Sequence, residues 1–301
     1  MISHTLRGDL RNDRAPVLIN EITARLPLCR KGNKLVVDLS DNCWVHPYGI
    51  VTLMAYLGAW TQAGGRYEII SPIDTNCQQY MLAVNFVQQV TVSGGTVVGM
   101  EGWDMNTSGS DRETVLPLTR IYDDDSVVTV SQQVGGRLST MLGDGPPRLL
   151  ELKRAVLGTV RELCQNIVHH ADCGEGWICA QRYRNPSTGV RRVEIAIADA
   201  GQGMRASLST AYAEFKRSRD IDAVRAALAG RTCFTKVSKG GNGLSVMKKA
   251  VRDHNGTFAC RSGDGEVWHG KKSSDRQREF MSAWPGTVIR IALDCSAKES
   301  S

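Results

Sequence analysis

Three polar side chains spaced four residues apart stand out in the middle of the chain. Glu162, Asn166 and His170 lie in the segment Glu-Leu-Cys-Gln-Asn-Ile-Val-His-His, and in a helix they would share one face. Asn166 would offer a neutral oxygen to Mg²⁺, which keeps several waters and takes other ligands from phosphates. Glu162 would take a proton from an attacking water or hydroxyl group. The alternative is a solvated helix face with an ordinary glutamate.

A carboxylate followed by glycines forms the second candidate segment. Asp199 comes directly after the apolar residues 195–198 and precedes Gly201 and Gly203. A carboxylate buried at the end of a strand can accept a hydrogen bond from an adenine amino group. The glycines would let the backbone approach the ring, and Met204 would supply an apolar wall. The alternative is a simple Asp-Gly turn.

A glycine cluster opens the third segment, just before an amphipathic helix that starts near residue 243. Glycines there expose backbone N–H groups at the positive end of the helix, which suits a triphosphate. The predicted phosphate contacts are Gly241, Asn242, Gly243 and Leu244. Lys236 and Lys239 lie just upstream and would add positive charge, or they are solvated surface lysines.

The stretch between the second and third segments, residues 205–240, is long, basic and partly helical. Its position predicts a flap that closes over a nucleotide. The alternative is that its helical pieces are fixed.

The elements that must position these side chains follow from the apolar periodicity. We predict a long helix over residues 148–171 and a helix over 243–254. The predicted strands are residues 177–183, 193–198, 257–261 and 287–293.

The first hundred residues alternate strands and helices. Strands are predicted at residues 35–39, 66–70 and 96–98, with helices after residue 49 and around 77–87. This order predicts a small open α/β layer. Residues 101–147 are predicted to be a linker followed by a hairpin over 116–130, so that the domains are residues 1–100 and 148–301.

Composition excludes several function classes. The chain carries a net charge of +6, with the basic excess in its second half. A triphosphate ligand explains that excess as well as nucleic acid does, so we expect no nucleic-acid partner. The nine cysteines form no Cys-x-x-Cys pair, and we expect reduced thiols rather than zinc or disulfides. The sequence shows neither a membrane span nor a signal peptide, so we expect a cytoplasmic protein.

Taken together, these segments resemble the motifs of the GHKL superfamily, which includes gyrase, Hsp90, histidine kinase and MutL ATPases. Glu162 and Asn166 resemble its N box, and Asp199 with Gly201 and Gly203 resembles the first glycine box. The second glycine box is matched by Gly241, Gly243 and Leu244. Thr287 matches the threonine before the last strand. The resemblance implies a Bergerat-type α/β sandwich, with helices on one face of a mixed sheet. It also implies ATP and Mg²⁺ as cofactors, with Asp199 on adenine, Asn166 on the metal and Glu162 as the base.

Residues 15–100 resemble STAS domains of the anti-sigma-factor-antagonist type, through the predicted strands and the helix that begins near Tyr48. Many such domains carry a phosphorylatable serine before the glycine that opens this helix. Here the sequence is His-Pro-Tyr-Gly, ending at Gly49, so Tyr48 has the hydroxyl. The whole chain therefore resembles an anti-sigma-kinase-like ATPase fused behind a STAS-like module.

Three functions remain open on the sequence alone. One is a regulatory ATPase that passes its nucleotide state to the STAS-like module or to a partner protein. Another is a protein serine, threonine or histidine kinase, and the third is a non-catalytic interaction protein stabilised by nucleotide. Superfamily members often pair through this domain, so a homodimer is a candidate state.

Overall fold

The computed structural model describes residues 3–7, 10–11, 15–25, 29, 31–100, 115–142, 147–184, 191–233, 243–254, 256–270 and 275–294. In this part of the chain, no helix combines the length and the apolar character needed to cross a bilayer. The described residues build two sheets, each with its own helices.

The N-terminal unit comprises residues 3–98 and contains a four-stranded parallel sheet in the order β1-β2-β3-β4. Its elements are β1 (Ser3–Arg7), α1 (Ala15–Arg25), β2 (Lys34–Asp38), α2 (Pro47–Gln62), β3 (Arg66–Ile70), α3 (Thr75–Ala83), α4 (Phe86–Val92) and β4 (Thr96–Val98). The predicted strands and the helix α2 are confirmed. The helix predicted around residues 77–87 is wrong as a single element, because the chain turns at Asn85 with a left-handed φ of 62°.

The C-terminal unit comprises residues 115–294 and contains a five-stranded sheet in the order β5-β6-β7-β9-β8. Its elements are β5 (Val115–Ile121), α5 (Asp124–Leu142), α6 (Pro147–His170), β6 (Gly176–Arg184), β7 (Arg191–Asp199), α7 (Gly203–Ser209), a 3₁₀ turn (Ala213–Lys216), α8 (Asp220–Leu228), α9 (Gly243–Asp253), β8 (Thr257–His269) and β9 (Arg276–Asp294). The two helices and four strands predicted here are confirmed, although β8 and β9 are longer than predicted. The predicted mixed sheet is wrong for the described strands, because all four neighbouring pairs are antiparallel.

The hairpin predicted over residues 116–130 is also wrong. Only its first half is a strand: β5 pairs with β6 at the sheet edge. The rest is helix α5, whose buried residues Val127, Val130, Val134 and Leu138 follow helical spacing. Asp123 starts this helix: its side chain accepts a hydrogen bond from the Ser126 N–H at 2.7 Å. The three aspartates at 123–125 therefore mark a helix N-terminus rather than a turn between strands.

The five-stranded sheet is apolar on both faces. Along β7, Ile195 and Ile197 point towards a core formed with α5, α6, α8 and α9, as predicted for helices on one face. Ala196 and Ala198 point to the opposite face, together with Trp177 of β6 and Trp284 of β9. This second face packs against the N-terminal unit, mainly through α2. The two units therefore share a continuous hydrophobic core.

Helix α2 lies between the two sheets. Its side chains are buried on every side from Pro47 to Gly58, which is the composition expected of a helix enclosed by protein. Tyr48 is only 3% exposed, and burial raises the pKa of its hydroxyl above the ordinary value. A hydroxyl in this position is out of reach of a kinase in the folded protein.

Candidate functional site

An open pocket lies on the helical side of the five-stranded sheet, with an empty volume of about 850 Å³ that includes the part open to solvent. It is lined by side chains from α6, β7, α7, α8, the segment that follows α8, α9 and β9. The predicted residues that line it are Glu162, Asn166, His170, Asp199, Gly203, Met204, Leu244 and Thr287. Segments separated by more than one hundred residues thus meet at one pocket, and their roles toward a nucleotide stay predictions.

Gly201 and Gly243, also predicted, do not line the pocket but contact residues that do. Four other predicted residues lie outside the described residues. Gly201 and Gly243 donate backbone N–H groups to Asp199 and Glu162, respectively. The roles of Lys236, Lys239, Gly241 and Asn242 stay predictions, because residues 234–242 are outside the described ranges.

Asp199 is a buried carboxylate at the end of β7. It is 6% exposed, and its Oδ1 accepts a hydrogen bond from the Gly201 N–H at 2.9 Å. Burial raises its pKa from 3.8 to about 6, against a smaller lowering by the backbone N–H groups of Gly201 and Thr287. A buried carboxylate in the wall of a pocket is well suited to accept a hydrogen bond from a ligand.

The glycine loop after Asp199 rests on the end of helix α6. The Gln202 N–H donates to the carbonyl oxygen of Ala171 at 2.7 Å, and the Gln202 side chain donates to the carbonyl of His170. A Cβ at Gly201 would overlap the Ala171 carbonyl oxygen, and Gly203 has a positive φ of 75°. Glycine is therefore required at both positions, since the loop must pass close to the helix and then turn.

Gly286, on β9, also approaches Asp199 closely. A Cβ there would lie 2.5 Å from Asp199 Oδ1 and 2.6 Å from the Gly201 nitrogen. We expect Gly286→Ala to lower the free energy of unfolding by about 1–3 kcal/mol, as overpacking against fixed backbone does. Urea denaturation measures this. Gly158→Ala is the matched control, because nothing lies within 4 Å of its Cβ position in α6, and it should stabilise by up to about 1 kcal/mol. Equal effects of the two substitutions would contradict the close approach.

Glu162 is engaged with the first residue of helix α9. Its Oε1 accepts a hydrogen bond from the Gly243 N–H at 2.9 Å, and the Thr159 hydroxyl donates to the Gly243 carbonyl at 3.1 Å. A Cβ at Gly243 would come within 2.7 Å of Glu162 Oε2. The carboxylate therefore lies at the positive end of the helix, where a negative charge is stabilised.

The two histidines at the end of α6 have different surroundings. His169 is exposed, and its Nε2 lies 3.0 Å from Oδ1 of Asp124 in α5. His170, in contrast, lines the pocket. Burial, and secondarily the neighbouring His169, lower the pKa of His170. Within the described ranges, no group of three or more histidine, cysteine or acidic side chains is arranged to hold a metal ion.

The described part of the flap, residues 205–233, has a small core of its own. Leu208, Phe215, Ala223 and Ala227 form this cluster. Arg231 lines the pocket; its guanidinium donates to Glu214 at 2.7 Å and lies over the Tyr212 ring. These contacts anchor the helical pieces, and closure of the flap stays a prediction.

Two residues that support the site were not predicted from sequence. The Ser262 hydroxyl on β8 accepts from the Met204 N–H at 2.8 Å and donates to the Gly286 carbonyl at 2.9 Å. The Trp284 indole N–H donates to the Asp199 carbonyl at 2.9 Å. No local signal marks either residue, because their roles arise only when β8 and β9 pair beyond the predicted strands.

Comparison with protein families supports the same range of residues. Residues 153–296 match the family described as histidine kinase-, DNA gyrase B-, and HSP90-like ATPase. Comparisons with curated proteins and with solved structures give no significant match. The matched range includes every residue that lines the pocket. Residues 153–296 therefore form a histidine kinase-, DNA gyrase B-, and HSP90-like ATPase domain.

Proposed function

We propose that this chain is a regulatory ATPase that binds Mg-ATP in the pocket and passes its nucleotide state to the N-terminal unit or to a partner protein. The observation that carries the proposal is the buried Asp199 carboxylate, which ends β7 inside the pocket of an ATPase-family domain. The adenine amino group would donate to this carboxylate. Met204 and Ile289 line the same pocket and would contact the ring.

Titration of the purified chain with Mg-ATP in a calorimeter tests the proposal. We expect binding by the parent and a loss of about ten- to hundredfold in affinity for Asp199→Asn, because hydrogen bonds to charged groups contribute about 1.5–3 kcal/mol. Asp74→Asn is the control: Asp74 caps α3 in the N-terminal unit, and asparagine caps as well as aspartate. Absence of heat with the parent, or an unchanged affinity in Asp199→Asn, would overturn the proposal.

The chemistry of the pocket fits a magnesium ion bound together with a nucleotide. Asn166 and Glu162 supply an amide oxygen and a carboxylate from one helix face. So few protein ligands suit Mg²⁺, which prefers to complete its shell with waters and phosphate oxygens. Asn166 would hold the ion, and a bound Mg²⁺ would neutralise charge on the phosphates.

Glu162 is the candidate general base for hydrolysis. We expect Glu162→Gln to keep Mg-ATP binding and to abolish ADP production, because glutamine still accepts the Gly243 N–H but cannot take a proton. Glu162→Ala should also lose turnover, with an additional loss of stability from the unpaired N–H. Phosphate release measured with both variants checks this, and turnover equal to that of the parent would remove Glu162 from the chemistry.

A nucleotide-stabilised interaction protein is the second candidate function. It is favoured by the hydrogen bond between Glu162 and Gly243 at 2.9 Å, which directs the carboxylate to the helix rather than to a reacting water. In this case bound nucleotide would stabilise one conformation by RT ln(1 + [L]/Kd). Magnesium-dependent ADP production by the pure chain would exclude it.

The parallel β-α order of the N-terminal unit supports the proposed STAS-like character of residues 1–100. Its shared core with the five-stranded sheet supports a coupling within the chain. The type of partner protein stays a prediction. The homodimer also stays a prediction, and light scattering with and without Mg-ATP would check it.

A further inference from the structure

Trp284 lies in the core between the two units and also contacts Asp199 of the pocket. It is 1% exposed and belongs to the core shared by the N-terminal unit and the second face of the five-stranded sheet. Strand β9, which carries it, is contacted by both α1 and α2. Its indole N–H reaches the carbonyl oxygen of Asp199 at 2.9 Å.

This hydrogen bond lies at the end of the β7–β9 ladder. Asp199 is the last β7 residue in both registers, opposite Thr287 of β9 and Gly176 of β6, so the main chain beyond it is not held by further ladder pairs. The Gly201 N–H fixes the carboxylate, and Trp284 fixes the carbonyl from the second face of the sheet. The position of the carboxylate therefore depends on the packing of Trp284.

We infer that Trp284 is a positioning residue that holds the purine-binding carboxylate in place and ties it to the N-terminal unit. The inference rests on the proposed binding of adenine by Asp199. Packing of the N-terminal unit against β9 then sets how tightly the pocket holds an adenine nucleotide. Nucleotide binding, in turn, favours the same packing, because coupling between two sites is reciprocal.

The chain supplies a matched control in Trp177. This residue is 0% exposed and lies in the same shared core. Its strand neighbour across the ladder is Ala198, adjacent to Asp199. Within the described residues, the Trp177 indole nitrogen has no hydrogen-bond partner. Replacing either tryptophan by phenylalanine removes a similar volume, but only Trp284→Phe removes a hydrogen bond to Asp199.

The test compares the affinities of the full chain for Mg-ATP and for purine riboside triphosphate, which lacks the 6-amino group. We expect Trp284→Phe to weaken ATP binding about two- to tenfold, the range for one neutral hydrogen bond. The same variant should bind the purine riboside nucleotide as the parent does. Trp177→Phe should leave both affinities unchanged. A purely structural role of Trp284 would lower both affinities together.

Three outcomes would overturn the inference: unchanged ATP affinity in Trp284→Phe, an equal loss for both nucleotides, or an equal loss in Trp177→Phe. Failure of the proposed function itself is distinguishable, because the parent would then not bind ATP. If Trp284→Phe does not fold, benzothienylalanine incorporated at position 284 keeps the bicyclic shape without the N–H and gives the same comparison.

Discussion

Asp199→Asn should raise the free energy of unfolding of the nucleotide-free protein at pH 8 by about 3 kcal/mol. Burial raises the pKa of Asp199 from 3.8 to about 6, so the folded state holds an ionised carboxylate at a cost of about 1.4 kcal/mol for each unit of the shift. Asparagine removes this charge and keeps an oxygen that accepts the Gly201 N–H. Urea denaturation of both proteins without nucleotide measures the difference.

The pH dependence identifies the cause of this gain. Because the folded pKa lies above the unfolded value, the carboxyl group stabilises the parent fully below about pH 4, and this contribution is lost as the pH rises through about 6. The gain in free energy of unfolding from Asp199→Asn should therefore be largest above pH 6 and become smaller towards pH 4. The control Asp74→Asn, at the N-cap of α3, should show no such profile. An equal gain in the free energy of unfolding at every pH would mean that the gain does not come from the ionisation of Asp199.

The same substitution is expected to weaken ATP binding, so the site would trade stability for function. A buried carboxylate is destabilising without a ligand, even with the backbone N–H groups of Gly201 and Thr287 beside it, and would become useful only when a donor binds. The backbone around this carboxylate is packed closely, since a Cβ at Gly201 would overlap Ala171 and a Cβ at Gly286 would overlap Asp199.

The candidate site could be predicted from the sequence because its chemistry is local. Glu162, Asn166 and His170 share a helix face by spacing alone. Asp199 follows a strand that is recognisable from four apolar residues in a row. The resemblance of the ordered segments to the GHKL motifs then implies a common site, and the structure places those that it describes around one pocket on the helical side of the five-stranded sheet. What the sequence could not give is the direction of the Glu162 carboxylate, which the Gly243 N–H determines across 81 positions.

The covering of the second sheet face could not be predicted in the same way. The runs 177–180 and 195–198 are apolar at every position, which is typical of strands buried on both faces. Helix α2 is likewise apolar all round, which is typical of an enclosed helix. Each pattern indicates an element that other parts of the protein cover on all sides, but neither pattern identifies the other element as the one that covers it. Only the packing of α2 on β6 and β7 does so.

Because both units belong to one hydrophobic core, that core limits how the N-terminal unit could regulate the site. A module that docks and undocks would expose Trp177 and Trp284, two large side chains that are at most 1% exposed. Small shifts of packed helices against the sheet are compatible with the shared core, and Trp284 would pass them to Asp199. We therefore expect coupling by adjustment within one folded body rather than by separation of domains.

If this is correct, the two units should unfold together. Leu53, in α2, is fully buried between the sheets, and we expect Leu53→Ala to lower the free energy of unfolding by about 2–5 kcal/mol, through lost burial and the cavity left behind. The destabilisation should appear equally in both units, because the core that it damages belongs to both. Val92→Ala, on α4 of the same unit, is the control: Val92 is 68% exposed, and its replacement should change stability by no more than about 0.5 kcal/mol.

Two buried free cysteines report on the two units separately. Cys77 is 3% exposed in the N-terminal unit and Cys164 is 0% exposed in α6. Pulsed alkylation at increasing urea concentration, read by mass spectrometry, should label both thiols with the same midpoint in the parent. In Leu53→Ala both midpoints should fall by the same amount, because neither sheet keeps its cover once α2 is lost. Labelling of Cys77 in an earlier transition, with Cys164 still protected, would mean that the units are independent domains and that the core between them is a loose contact.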